Sequence, residues 1–225
     1  MRKAAIMLDF FGTVVHEDHK IIPGICARIS KDAQVTEKEV YQFWARRFGA
    51  LLAESFGERF RLHREVELVS LRDTLAYFKL DTDPAELSQP LYEHWMKPPL
   101  YDDARLFLQA LDIPVCVVSN IDRSDLLQAI SYHDLQVDYV VTSEDARAYK
   151  PRTEIFQLAL QELDVLPQDV LHIGDSLTND VLGAKGVGIS TAWVNRKQRE
   201  PHPGITPDIV CNNLLDLLDW GLGRR

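Results

Sequence analysis

The sequence predicts an α/β fold in which a doubly wound, parallel, Rossmann-like sheet forms the core and a small helical bundle forms a cap. Five short apolar runs are typical of parallel strands, which are buried on both faces. From about residue 98 onward these runs alternate with helical segments, the pattern of a sheet covered by helices on both sides. The predicted strands are residues 4–8, 115–118, 139–142, 170–173 and 191–194.

The stretch between the first and second strands has a different pattern. Residues 16–97 contain helical segments and no convincing strand, yet the first strand has to pair with strands that begin only at residue 115. We therefore expect residues 16–97 to be a helical cap inserted into a core made of residues 1–15 and 98–225.

Within the insertion, two stripes of apolar residues recur at helical spacing, over residues 40–52 and 68–78. Such stripes are more typical of a helical-bundle core than of an aromatic cofactor site. Thr36 and Glu39 have the spacing of a capping box, and Pro84 suits the first turn of another helix. A bundle hinged over the sheet would serve as a lid.

Composition narrows the classes of function and location. The chain has 225 residues, 46% of them hydrophobic, and a formal net charge of −9. This charge disfavours a nucleic-acid partner but is compatible with a small anionic substrate held by local donors. No apolar run is long enough for a membrane span or a signal peptide, and three widely spaced cysteines indicate no disulfide framework. We expect a cytoplasmic protein, either a monomer or a homodimer, with residues 214–220 as a terminal helix or an interface.

Polar residues follow four of the predicted strands. In open α/β sheets, ligands bind in the crevice at the carboxyl ends of the strands. A carboxylate nucleophile, hydroxyl and amide donors, a lysine and a pair of carboxylates would therefore converge on one small anionic substrate. The segments are residues 9–13 (DFFGT), 119–120 (SN), 150–151 (KP) and 174–180 (GDSLTND).

Each segment has a purely structural alternative: Ser119 and Asn120 also suit a turn after a strand, and a single lysine such as Lys150 is more often a solvated surface residue. Asp9 before Gly-Thr suits a nucleophile on a sharp turn, although aspartate also caps turns. Asp175 and Asp180 can face one Mg²⁺, although the same residues can complement a helix N-terminus. His172 is interpreted as a strand residue. The four segments in this order favour the chemical interpretation over turn capping alone.

The order and residue types of these segments resemble the haloacid dehalogenase superfamily, whose members mostly hydrolyse phosphate monoesters through an aspartyl-phosphate. The resemblance implies a helical cap, Mg²⁺ as cofactor, and Asp9 and Lys150 as catalytic residues. It implies phosphate-binding residues Phe10, Phe11, Thr13, Ser119, Asn120 and Lys150, and metal ligands Asp9, the Phe11 carbonyl, Asp175 and Asp180.

Phe11 departs from the phosphatase pattern, which has a second aspartate at this position. That aspartate protonates the leaving alcohol and then activates water, and a phenyl ring can do neither. Loss of general acid–base catalysis typically costs ~10²–10⁴ in rate. We therefore expect acyl or aryl phosphates, whose leaving groups need no proton, to react faster than alkyl phosphates.

A Mg²⁺-dependent phosphohydrolase is favoured, and three alternatives remain. The 2-haloacid dehalogenases resemble this chain in having an aromatic residue at position 11, but they lack the metal-binding carboxylates. They also use a cap arginine, for which Arg46 or Arg47 is the candidate here, although a place on a solvated helix face is more typical of either residue. Phosphonate cleavage would need a cap lysine, and a metabolite-binding protein would have lost turnover. The lysines of the insertion include Lys31, Lys38, Lys79 and Lys97.

Overall fold

The computed structural model describes residues 3–17, 20–220 and 222. Within these residues, six strands form one sheet in the order β3-β2-β1-β4-β5-β6, and every neighbouring pair is parallel. The strands are β1 (Ala5–Leu8), β2 (Val115–Ser119), β3 (Tyr139–Thr142), β4 (Val170–Gly174), β5 (Ser190–Val194) and β6 (Ile209–Cys211). The predicted fold class is confirmed.

Helices cover both faces of the sheet because strand side chains alternate between two apolar clusters. Ile6 and Leu8 of β1 point into one cluster, whereas Ala5 and Met7 point into the other. The helices in the described residues are α1 (Ile21–Ala33), α2 (Glu37–Glu54), α3 (His63–Tyr77), α4 (Pro84–Met96), α5 (Asp102–Ala110), α6 (Arg123–Tyr132), α7 (Ser143–Ala146), α8 (Thr153–Leu163) and α9 (Gly183–Lys185).

Helices α1 to α4 pack against one another through the predicted apolar stripes. Trp44 of α2 is buried, and its indole Nε1 donates a hydrogen bond to Ser70 Oγ of α3 at 3.0 Å. Thr36 and Glu39 form the expected capping box at the start of α2, and Pro84 is the first residue of α4. The local signals for these helices are confirmed.

The two chain segments that connect these helices to the sheet lie side by side. Val15 and Leu100 form an antiparallel β-bridge, and the His16 main-chain N–H donates to Pro99 O at 2.8 Å. Tyr101 N in turn donates to Val14 O at 3.1 Å. The helices α1 to α4 are thus attached through one short paired connection, directly after the turn that carries Asp9.

The strand β6 was not predicted; it has three residues, one of them the 57%-exposed Val210. A strand this short and partly exposed lacks the continuous apolar run that marks the inner strands. Residues Leu215–Trp220 form a 3-10 helix whose Leu217 is buried in the core, so this segment packs on the domain. None of the helices in the described residues is long and apolar enough to cross a membrane.

Phe156 of α8 provides a test of the core on the second face of the sheet. Its ring is fully buried and lies edge-on to His172, with centroids 5.1 Å apart. We expect Phe156→Ala to lower the free energy of unfolding by ~3–5 kcal/mol, because it removes a large side chain and leaves a cavity. Urea unfolding measures the change. Leu166→Ala, at a side chain 60% exposed, is the control and should stay within about 0.5 kcal/mol of the parent.

Candidate active site

A cavity of about 250 Å³ lies at the carboxyl ends of the strands. Asp9 follows β1, Ser119 ends β2 and Asp175 follows β4, so the parallel order of the sheet brings all three to the cavity wall. Helices α3 and α4 close the other side with His63 and Trp95. The site is therefore built between the sheet and the inserted helices, as expected for an open α/β fold.

Asp9 is buried, and both of its carboxylate oxygens are held. Thr13 Oγ1 donates to Oδ2 at 2.8 Å, and Lys150 Nζ donates to Oδ1 at 2.6 Å. The Asp9 main-chain N–H donates to Ile173 O of β4 at 2.8 Å. The Thr13 hydroxyl and the Lys150 ammonium thus fix the orientation of the carboxylate at the end of the central strand.

The Lys150 ammonium links two carboxylates. Besides Asp9, it donates to Asp180 Oδ1 at 2.7 Å and to the main-chain oxygen of Val118 at 2.9 Å. Its side chain is only 2% exposed. Burial alone would lower the pKa of Lys150, but the negative charges of Asp180 and Asp9 raise it above its usual range. A permanent positive charge therefore lies inside the cavity wall.

Asn120 holds the main chain of Lys150 rather than presenting its amide to the cavity. Its Nδ2 donates to Lys150 O at 3.0 Å, and its Oδ1 accepts from Lys150 N at 2.7 Å. The Asn120 side chain was expected to bind phosphate directly. In the structure it instead positions the main chain of Lys150. Sequence could not show this because the partner lies thirty positions away.

Three carboxylates meet beside the lysine. One oxygen each from Asp9, Asp175 and Asp180 lies within 4.8 Å of the others. Burial, reinforced by Asp180 and Asp175 and opposed by Lys150, raises the pKa of Asp9 to about 8. Burial and the charge of Asp180 raise the pKa of Asp175 to about 6. Hard oxygen ligands that repel one another at this spacing fit a small divalent cation, which would relieve the repulsion.

Asp180 is held in place by several donors. Lys150 counteracts the effect of burial and holds the pKa of Asp180 well below its usual range. Ser176 N donates to Asp180 Oδ2 at 2.9 Å, and His172 Nε2 lies 3.0 Å from Oδ1. His172 belongs to β4, as predicted, and burial lowers its pKa. A π-helical turn over Leu177–Leu182 carries Asp180 back toward the strand end.

Two glycines make room for these carboxylates. A Cβ on Gly174 would lie 2.2 Å from Asp180 Cγ, and a Cβ on Gly12 would lie 2.8 Å from Asp175 Cγ. Gly12 also has a φ of +91°, a conformation that other residues rarely adopt. The glycines of the first and fourth motifs are thus required by the close approach of the metal-ligand candidates.

The family model for haloacid dehalogenase-like hydrolases matches residues 3–188, which include every motif described above. This chain belongs to the haloacid dehalogenase-like hydrolase family. The hydrolase is 33% identical to haloacid dehalogenase-like hydrolase domain-containing protein 3 of Danio rerio over 60% of this chain and 60% of that protein. It is 28% identical to the phosphoserine phosphatase of Thermus thermophilus over 59% of this chain and 55% of that enzyme. The matches thus span less than two thirds of the length of each relative.

Solved structures of similar fold include a magnesium-bound HAD-hydrolase and a haloacid dehalogenase. The HAD-hydrolase YfnB of Bacillus subtilis, bound to magnesium, aligns with a TM-score of 0.76 at 20% identity over 98% of this chain and 99% of that chain. The L-2-haloacid dehalogenase of Xanthobacter autotrophicus aligns with a TM-score of 0.76 at 21% identity over 98% of each chain. At this identity, the likeness establishes the fold of the hydrolase and leaves its reaction open.

Phe11 and Phe10 of the hydrolase have different surroundings. The Phe11 side chain lines the cavity and packs edge-on against Phe10, with ring centroids 5.4 Å apart. Phe10 is fully buried in the apolar core, so any contact it makes with a ligand has to come from its main chain. Ser119 lines the cavity at the end of β2. The Phe11 carbonyl remains a predicted metal ligand.

The cap arginines singled out from sequence do not line the cavity. Arg46 donates from Nε to the main chain of its own helix at Gln42, and Arg47 pairs with Asp73 of α3 at 2.7 Å. Arg46 is exposed, whereas Arg47 is half-buried and is held against α3 by its ion pair with Asp73. A substrate contact of Arg46 or Arg47 therefore finds no support in the described cavity wall, to which α3 and α4 contribute His63 and Trp95.

Arg199 is a cavity residue that the sequence analysis missed. Its Nη2 donates to Asp175 Oδ2 at 2.8 Å and also contacts the main-chain oxygen of Asp175. The Asn195 side chain forms two hydrogen bonds with the main chain of Arg199. Its Nδ2 donates to Arg199 O, and its Oδ1 accepts from Arg199 N, both at 2.8 Å. The position of Arg199, a few residues beyond the carboxyl end of β5, is the feature of the sequence that could have identified it, because cavity residues follow strand ends.

Gly174 allows the close packing at Asp180 to be tested. We expect Gly174→Ala to lower the free energy of unfolding by ~1–3 kcal/mol, because its Cβ would overlap the buried Asp180 side chain. Gly49→Ala is the matched control. Gly49 lies exposed in α2 with no atom within 4 Å of an added Cβ, so alanine there should stabilise by up to ~1 kcal/mol. Equal effects of the two substitutions in urea unfolding would contradict the packing argument.

Proposed function

We propose that this hydrolase is a Mg²⁺-dependent phosphohydrolase that acts on a small phosphorylated metabolite through an aspartyl-phosphate on Asp9. The observation that carries the proposal is the cluster of Asp9, Asp175 and Asp180 joined by the Lys150 ammonium. Three carboxylates beside one lysine carry excess negative charge, which suits a divalent cation and a phosphate bound together.

The same cluster disfavours the dehalogenase alternative. Displacement of halide by a carboxylate needs no metal, and the net negative charge that Asp9, Asp175 and Asp180 leave beside Lys150 and Arg199 would repel an anionic haloacid. Arg46 and Arg47, the residues proposed to hold such a substrate, lie outside the cavity wall. The sequence similarity to the phosphoserine phosphatase of Thermus thermophilus also supports the phosphohydrolase assignment.

In the proposed reaction, an Asp9 carboxylate oxygen attacks phosphorus as the bond to the leaving-group oxygen breaks. Thr13 and Lys150 keep the carboxylate in one orientation, so little reorganisation precedes the attack. Lys150, Ser119 and the main chain after β1 and β2 are placed to bind the phosphoryl oxygens. Mg²⁺ would be held by Asp9, Asp175, Asp180 and the Phe11 carbonyl, and it would supply positive charge that keeps Asp9 ionised and polarises the phosphoryl group.

The cap and Phe11 determine which leaving groups react. On this proposal, residues 16–97 form the cap, and Trp95 with Phe11 gives the leaving group an aromatic wall. Neither side chain can protonate an alkoxide. Acyl and aryl phosphates, whose leaving groups are stable anions, are therefore the favoured substrate classes.

The first test measures phosphate release from acetyl phosphate and para-nitrophenyl phosphate, with Mg²⁺ and then with EDTA. We expect Mg²⁺-dependent release that is lost in Asp9→Asn, because the amide is a poor nucleophile. Asp32→Asn, at an exposed position of α1, is the matched control and should behave as the parent. Halide release from 2-haloacids with no phosphate release would instead establish the dehalogenase alternative, and tight metabolite binding without turnover would establish a binding protein.

A second test restores the missing acid. We expect Phe11→Asp to raise the rate on alkyl phosphates at least tenfold relative to the rate on para-nitrophenyl phosphate, because only the former leaving group needs a proton. Phe11→Ala, which removes the ring without adding a carboxyl group, is the control and should leave that ratio unchanged. The ratio of kcat/KM values for the two substrates is the measurement, and an equal ratio in all three proteins would refute this role for position 11.

A further inference from the structure

His63 is the one titratable side chain that helices α1 to α4 contribute to the cavity wall within the described residues. It is the first residue of α3, and it shares the wall with Asp9, Lys150 and Phe11. No motif in the sequence singles it out. Its position matters because Phe11 leaves the cavity without the carboxyl group that would normally handle protons.

The imidazole of His63 is held in one place by packing. Its ring lies against Trp95 with centroids 4.6 Å apart, against Phe48 at 5.5 Å and against Tyr149 at 6.2 Å. Three aromatic neighbours leave the ring little rotational freedom, which is a requirement for a group that transfers a proton over a fixed distance.

The main chain at His63 is attached to the sheet side of the cavity. Asp122, which follows β2, accepts from His63 N at 2.6 Å and from Arg64 N at 3.0 Å, so it caps the N-terminus of α3. Arg64 adds a two-pronged ion pair with Asp125 of α6, at 2.8 and 2.6 Å. These contacts fix His63 relative to the strand end that carries Ser119.

His63 also has unused hydrogen-bonding capacity. The residue as a whole is partly exposed, but its Nδ1 atom is buried and has no hydrogen-bond partner. An unpartnered buried nitrogen is costly, so it calls for a functional explanation. Burial lowers the pKa of His63 to about 4, so the imidazole is neutral and has a free lone pair at neutral pH.

We propose that His63 is the proton acceptor for the water that hydrolyses phosphorylated Asp9, an inference that rests on the proposed phosphohydrolase function. The water oxygen bonds to phosphorus while an imidazole nitrogen of His63 takes one water proton. The bond between phosphorus and the Asp9 oxygen breaks, and Asp9 leaves with the electron pair as a carboxylate. The imidazolium then returns its proton to solvent as phosphate departs.

This role supplies the activation of water, one of the two functions that the site lacks because Phe11 stands in place of an aspartate. The first step needs no proton when the leaving group is an aryl or acyl oxygen, but the second step always has to deprotonate water. A neutral imidazole supplies that second function and cannot protonate a leaving group in the first step. With a leaving group that needs no proton in the first step and His63 as the base in the second, a site without an aspartate at position 11 can complete a turnover.

The test separates the two steps with para-nitrophenyl phosphate in rapid-quench experiments on the full chain. We expect His63→Gln and His63→Ala to keep a burst of about one nitrophenolate per active site, followed by steady-state turnover ~10²-fold slower than the parent. Acid-quenched samples should then hold phosphorylated Asp9, and added imidazole should partly restore turnover of His63→Ala. His202→Gln, at an exposed loop position, is the matched control and should behave as the parent.

Two results would overturn the assignment of His63. One is unchanged steady-state turnover in both variants, and the other is an equal loss in burst and steady-state rates, which would indicate a packing role. A lack of Mg²⁺-dependent nitrophenolate release by the parent protein would instead reject the proposed function itself. Far-ultraviolet circular dichroism identifies any variant that fails to fold, and the remaining variant then decides between these outcomes.

Discussion

The ion-pair network at Lys150 is the interaction on which the site depends. An ammonium group in a nearly dry environment is tolerated only where carboxylates and a carbonyl surround it, and Asp9, Asp180 and Val118 O provide these partners. In return, the lysine allows two buried carboxylates to lie side by side. With Asp175 added, the charges do not balance, since three acids face one lysine and a partly exposed Arg199. This imbalance is what makes the site suited to a cation and an anionic substrate.

The two basic side chains of the site are fixed by the same structural device. An asparagine at or just after a strand end, Asn120 for Lys150 and Asn195 for Arg199, donates to and accepts from the main chain of the basic residue. A side-chain amide that pairs with both the N–H and the C=O of a loop residue makes the same two hydrogen bonds that a neighbouring strand would make. It therefore fixes the loop main chain beyond the end of the sheet. The positions of the charges are therefore set by backbone geometry and not by flexible side chains alone.

What the sequence could predict follows from which features are determined locally. The inner strands were identifiable because burial on both faces demands unbroken apolar runs, and the catalytic candidates were identifiable because parallel strands end at one edge. The direction in which α2 presents Arg46 and Arg47 depends on how Trp44 packs against Ser70, which is a tertiary contact. The same holds for His63, whose approach to the cavity depends on Asp122 from the other part of the chain. Residue type and spacing carry no information about such contacts.

The contact between Asp122 and α3 also joins the two sides of the cavity. Asp9, Lys150 and the metal-ligand candidates all come from the sheet side, whereas the proposed proton acceptor comes from α3. The Asp122 carboxylate caps α3 at the point where the imidazole shares the cavity wall with Asp9, Trp95 and Phe11. On the proposed mechanism, hydrolysis of phosphorylated Asp9 therefore needs groups from both the sheet side and the inserted helices.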